Sequence, residues 1–163
     1  MSFKRFATTM ALGGIAFGLA TGISLAGGKG RVTLAKDHRS WDHVRSTVIH
    51  DKENPLFGFL SVYANKKALK ANKTGKAYPN GSKIVGIFHD VIDEGGIMTQ
   101  GKRLKYVVMT KNKRHFKDTG GWGFQAFDAE TGKKALIDDP KTSCFACHTA
   151  VEDRDFVFST FTE

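Results

Sequence analysis

Late in the sequence, Cys144 and Cys147 are separated by Phe145 and Ala146, and His148 follows directly. Two thiols at this spacing with an imidazole next to the second form the C-x-x-C-H pattern of c-type haem attachment. The order has a chemical reason. The thiols add to the two vinyl groups on one edge of the porphyrin, and the neighbouring histidine reaches the iron from below. Three other chemistries compete for the same residues. A redox dithiol opens a helix after an early strand of a βαβ unit, whereas this pair follows every segment that reads as a strand. A structural zinc site needs four ligands, and there is no second cysteine pair. A disulfide between the two cysteines would leave His148 without a role. The residues therefore predict one covalent haem c, with His148 as the metal ligand.

What such a haem does depends on the opposite side of the iron. Met98, Met109, His38, His43, His50, His89 and His115 are the side chains that could fill a sixth position. Met98 follows Gly95-Gly96 in a predicted loop, and Met109 ends a predicted strand as core. His38 and His43 flank Trp41 on a charged segment and are expected to face solvent. His50 and His115 fall in polar stretches and His89 at a strand end. None is singled out, so the expectation is an open sixth position walled by aromatic rings from Phe57, Phe59, Phe88, Phe124 and Phe127. Arg154 is expected either to support the haem site, for example at a propionate, or to form a surface ion pair with Asp153 or Asp155.

The elements that must position these residues can be read from periodicity and turn signals. Residues 36–45 place Trp41 and Val44 at helical spacing and predict an amphipathic helix that ends before Asn54-Pro55. Residues 56–63 are aromatic and β-branched, which predicts a strand. Asn65 is a helix cap for residues through 73, with Gly75 as the stop. Tyr78-Pro79-Asn80-Gly81 is a turn, followed by strands at 83–91 and 104–109 on either side of Gly95-Gly96. A short helix at 111–117 and a strand at 122–127 precede a polar turn at 128–132. Strands joined by turns or short helices predict an α+β domain, a mainly antiparallel sheet of four or five strands with short peripheral helices.

Residues 6–26 form an uncharged run behind Lys4 and Arg5 that ends in Ser24-Leu25-Ala26, which reads as a signal peptide (1–26) cleaved after Ala26 to release a domain at 27–163 into the periplasm. An uncleaved anchor is the rival reading, but threonines and glycines dilute the run. Without Lys4 and Arg5 the 25 basic residues fall to 23 against 16 acidic, a net charge of +7 that suits an acidic redox partner. Nucleic acid is not indicated, because no arginine-aromatic stripe accompanies the scattered lysines.

Five segments in order, Val62-Tyr63-Ala64-Asn65, Tyr78-Pro79-Asn80-Gly81, 117–124 with its Gly120-Gly121-Trp122-Gly123-Phe124, Cys144 to His148, and Arg154-Asp155-Phe156-Val157-Phe158-Ser159, resemble the cytochrome P-460 and cytochrome c′-beta family. The resemblance implies an antiparallel β domain with peripheral helices, usually a homodimer, and a five-coordinate haem open to small ligands. In the P-460 branch a lysine is bonded to the porphyrin and the protein oxidises hydroxylamine; the c′-beta branch lacks that bond and binds nitric oxide in an aromatic pocket. The position of that lysine falls here on Gly86, which cannot cross-link, and Lys83 alternates to the other side of its strand. The resemblance so implies a distal pocket of Phe57, Phe59, Gly86 and Phe88, with room above the iron at Gly86. The strand at 56–63 is also uncharged, with no acidic proton relay. The expectation is therefore a periplasmic, c′-beta-like cytochrome that binds nitric oxide or carbon monoxide. Hydroxylamine oxidation and six-coordinate electron transfer through His148 and Met98 are the alternatives.

Overall fold

The computed structural model describes residues 30–162, so the expected signal peptide lies outside the described residues. Five strands form one antiparallel sheet in which order in space follows order in the chain. They are β1 (Asp42–Ile49), β2 (Gly58–Ala64), β3 (Lys83–Glu94), β4 (Ile97–Lys111) and β5 (Trp122–Asp128). Helix α1 (Lys66–Thr74) lies between β2 and β3 in sequence. The cysteine segment is a π turn (Lys141–Phe145) running into the short α2 (Ala146–His148) and a 3-10 turn (Thr149–Arg154). This is the α+β architecture that the turn and strand signals predict.

Local chemistry accounts for the joints. The Asn65 side chain accepts from the Ala68 amide at 3.0 Å and so caps α1, and Gly75 ends it in the left-handed conformation. Asp128 closes the turn after β5 by accepting from the Thr131, Lys133 and Lys134 amides. These bonds hold its carboxyl far below the ordinary range.

Direct cross-strand partners share a face. Leu60 opposite Phe88, Val62 opposite Gly86, and Ala64 opposite Ile84 continue through Val107 and Met109 to Ala126 and Phe124. This face, called here the front, is packed by α1 and the cysteine segment. The back face carries Tyr63, Val85, Ile87, Tyr106, Val108 and Phe127 and is covered by Val32, Leu34 and Trp41.

Four sequence expectations are corrected. Residues 36–45 are not a helix: a 3-10 turn (His38–Ser40) leads into β1, which pairs with β2 along its length. A register shift between His43 and Arg45 turns Val44 inward to 1 % exposure, and this bulge breaks the two-residue alternation that would have marked a strand. His38 does not face solvent. The 3-10 turn folds it onto the back face at 6 % exposure, with Nδ1 2.7 Å from the Ala35 carbonyl and its ring edge-on to Tyr106. Residues 111–117 are not a helix either. Lys111 ends β4, and Asn112 draws the Arg114 and His115 amides into a side-chain-closed turn that competes with helix formation. The extra strand β1 settles the strand number at five. Met98 sits in β4 opposite Asp93 rather than in a loop.

Candidate functional site

Helical backbone from Lys141 to His148 brings Cys144 and the imidazole to the front face. Cys144 is half-buried and packs with Phe145 against the front core, Cys147 is exposed, and neither forms a disulfide. Burial pushes the Cys144 thiol up, the Cys147 thiol beside it adds to this, and the Lys105 ammonium opposes both.

His148 is clamped between aromatic rings, with Phe124 of β5 at 4.9 Å and Phe158 at 5.1 Å between ring centroids. Its Nδ1 lies 2.7 Å from the Phe156 carbonyl. That bond makes Nδ1 the protonated nitrogen and leaves the Nε2 lone pair free to bind a metal. Burial pushes the imidazole pKa below its ordinary value, against the opposing pull of the Phe156 carbonyl, and a neutral ring is the form a metal needs.

The carbonyl that holds His148 belongs to a tight reversal. Asp155 and Phe156 both adopt left-handed backbone, with φ of 51° and 65°, a conformation that costs an L residue about 1–2 kcal/mol. Lys111, 2 % exposed, lies against the reversal. Its Nζ donates to Asp155 Oδ1 at 2.5 Å and to the Gly120 carbonyl at 2.8 Å, beneath the Trp122 ring. The other Asp155 oxygen accepts from the Tyr78 amide and its carbonyl from Trp122 Nε1, both at 2.8 Å. Burial lowers the Lys111 pKa, and the Asp155 hydrogen bond acts in the other direction. Gly120 makes room: a Cβ there would collide with the Phe156 ring.

The expected distal residues are not brought together. Gly86 and Phe88 lie on the front face, but Phe59 stands opposite His89 on the back, and Phe57 precedes β2. Alternation along β2 explains the split, since Leu60 and Val62 are the β2 residues opposite Phe88 and Gly86. Nor does Gly86 leave open space. Its missing Cβ is taken up by Val107 and Leu60, whose methyl groups would come within 2.7 and 2.9 Å of one built there. Arg154 is exposed and reaches the Phe158 carbonyl at 3.4 Å. The expected Arg154 pair with Asp155 is replaced by Lys111, which forms the sole ion pair among the described residues. Met98 and Met109 lie at opposite ends of β4, about 36 Å apart along an extended strand. Sequence reasoning missed Leu60, Val107, Phe158 and the Lys111–Asp155 pair. The last was hidden because Lys111 reads as one more surface lysine.

The donor set fits a haem: two unpaired thiols at vinyl spacing, an imidazole with Nε2 free of partners among the described residues, and a front face where Leu60, Val107, Met109 and Phe145 stay only half-buried. No curated protein matches the chain. The family model for cytochrome P460 matches residues 35–159, from the turn before β1 to the segment beyond His148. With a Cys-x-x-Cys-His segment packed on the front of a five-stranded meander, the chain belongs to the cytochrome P460 family and is a haem protein of the P460 and c′-beta type.

Proposed function

We propose that the chain is an exported mono-haem c-type cytochrome whose open side binds nitric oxide or carbon monoxide. The observation that carries this reading is the front face itself. Around Gly86 it presents Leu60, Val62, Val107 and Phe88, all apolar, while Lys83 alternates to the back. A haem held there by Cys144, Cys147 and His148 would supply the iron that binds the diatomic ligand. The chain's own contribution is to keep His148 neutral and oriented, and to set apolar side chains around Gly86 on the opposite side, with the Lys105 ammonium on the same face. Neutral diatomics enter such a surrounding more readily than charged ligands do. Arg154, exposed beside the His148 loop, would pair with a haem propionate.

Export to the periplasm is supported by the signal-like run at 6–26, and an acidic electron donor by the net positive charge. A homodimer is supported by the apolar residues left on the outer β3–β4 ribbon, where Ile97 is 67 % and Met98 44 % exposed.

One observation favours the second reading, hydroxylamine oxidation. Lys105 lies on the front opposite Phe88, with its Nζ 5.1 Å from the ring centroid, and its charge is felt at Cys144. It is the lysine that this face offers to a porphyrin. The test is an intact mass with the absorption spectrum of the reduced protein, before and after nitric oxide. The expected result is a mass of residues 27–163 plus one haem and an ordinary high-spin c-type spectrum that shifts with the gas. A strongly red-shifted Soret band would put the lysine-bonded enzyme first. A low-spin spectrum indifferent to nitric oxide would favour electron transfer.

A further inference from the structure

The buried Lys111–Asp155 pair lies at the far end of β4 from the exposed ribbon, against the segment that follows the haem motif. A buried ion pair contributes little net stability, and its best-attested use is to select one arrangement among several. Here the selected arrangement is specific. Lys111 holds Asp155 Oδ1, the Tyr78 amide holds Oδ2, and Trp122 Nε1 holds the Asp155 carbonyl. Three groups from three parts of the chain thus converge on one residue in left-handed backbone. The next residue, Phe156, is also left-handed, and its carbonyl meets His148 Nδ1 at 2.7 Å. Were Asp155 released, two strained residues would relax together and the carbonyl would leave the imidazole.

We propose that Lys111, Asp155 and Trp122 are positioning residues for His148: they lock the Phe156 carbonyl onto Nδ1 and thereby set how strongly Nε2 binds iron. The proposal rests on the reading of His148 as the haem ligand and goes beyond it in assigning control of that bond to a lysine remote from the motif in sequence. A hydrogen bond accepted from Nδ1–H pushes electron density toward Nε2 and fixes the plane of the ring, so its loss weakens and loosens the metal bond. Nitric oxide makes this visible, because it weakens the bond to the ligand opposite it. A protein with a looser histidine therefore accumulates more of the nitric oxide complex that has shed His148.

The experiment compares the haem-loaded wild type with Asp155→Asn, which removes the charge facing Lys111 at nearly constant shape, and with Trp122→Phe, which keeps both partners of the ion pair and deletes the bond to the Asp155 carbonyl along with part of the buried ring over Lys111. Two quantities are read besides the melting temperature: the iron–histidine stretching frequency of the reduced protein, and the ratio of nitric oxide complex without His148 to that with it. The expected result is a lower frequency in both variants and a ratio raised about tenfold, at the lower end of the roughly 10–100-fold effects seen when partners of metal ligands are removed. An unchanged frequency and ratio, with only the melting temperature lowered, would reduce the cluster to a structural brace and overturn the proposal. If Asp155→Asn does not fold, Trp122→Phe decides alone on the same two readings. A wild type lacking histidine-ligated haem would overturn the reading of His148 itself, an outcome distinct from unchanged variants.

Discussion

The two faces of the sheet are built from alternate residues of the same strands, yet they finish differently. On the back, Val85, Ile87, Tyr106, Val108 and Phe127 are all at most 6 % exposed under the cover of residues 32–41, with Phe59 and Tyr63 of β2 half-buried beside them. On the front, Val62, Ala64, Ile84, Trp122 and Phe124 are as deeply packed, but Leu60, Val107, Met109, Cys144 and Phe145 remain half-exposed. A face closed by its own chain is a core; a face left unfinished beside two thiols and an imidazole is a seat for something apolar. The contrast teaches that the sheet spends one surface on stability and keeps the other for a guest.

The largest effects should come from removing what each face depends on. Replacing both cysteines, Cys144→Ser with Cys147→Ser, is expected to abolish covalent haem in the intact mass while leaving the β-sheet signature in far-UV circular dichroism. Loss of the sheet as well would mean that the front cannot stand without its guest. On the back, Phe127→Ala should cost about 3–5 kcal/mol by denaturant unfolding, the usual range for a buried aromatic, whether or not haem is attached. A cost that appears only in the haem-free protein would erase the distinction between the faces.

Smaller effects sharpen the comparison. Gly86→Ala pushes a methyl group into Val107 and Leu60, whose side-chain ends can yield, so the expected cost is about 1 kcal/mol, at the low end for overpacking. A slower nitric oxide association rate in the same variant would tie those two side chains to the ligand's approach. The back face contains a pH-sensitive group in His89, whose pKa is lowered first by burial and then by Arg103 and Arg39. The unfolded chain binds a proton near pH 6.5 that the folded form resists, so stability falls as pH drops below that value. His89→Gln should reduce the slope of melting temperature against pH over this window, to which His148 also contributes in the haem-free protein, and an unchanged slope would remove His89 as a source. The smallest expected effect is Ile97→Ser on the outer ribbon, within about 0.5 kcal/mol for the monomer, as for other exposed sites. Gel filtration of that variant tests whether the same residue holds two copies together.

Much of the fold was legible because its signals are local. Asn65, Gly75 and Gly95-Gly96 announced a cap, a stop and a hairpin, and each does that in the structure. The first strand was not legible, since a bulge at Val44 disguised a two-residue period as a helical one. That the chain is a haem protein could be read from the Cys-x-x-Cys-His spacing alone. What orients the donors could not. Two successive left-handed residues at Asp155 and Phe156 carry no glycine to betray them, and Lys111 finds its partner 44 positions away. The grouping of Phe59 with Gly86 failed for a related reason: which face a residue joins depends on cross-strand register, and one residue of slip exchanges the faces.

The meander has a temporal side as well. Every strand bonds only to strands adjacent to it in sequence, so each hairpin can close as soon as its second arm is available, without waiting for a distant partner. The segment with both thiols comes after the last strand and docks on a sheet already assembled. In that order of events Cys144 and Cys147 would stand on loose chain, accessible to the chemistry proposed to join them to a porphyrin. The lock at Asp155 follows them in sequence and closes once His148 is in place.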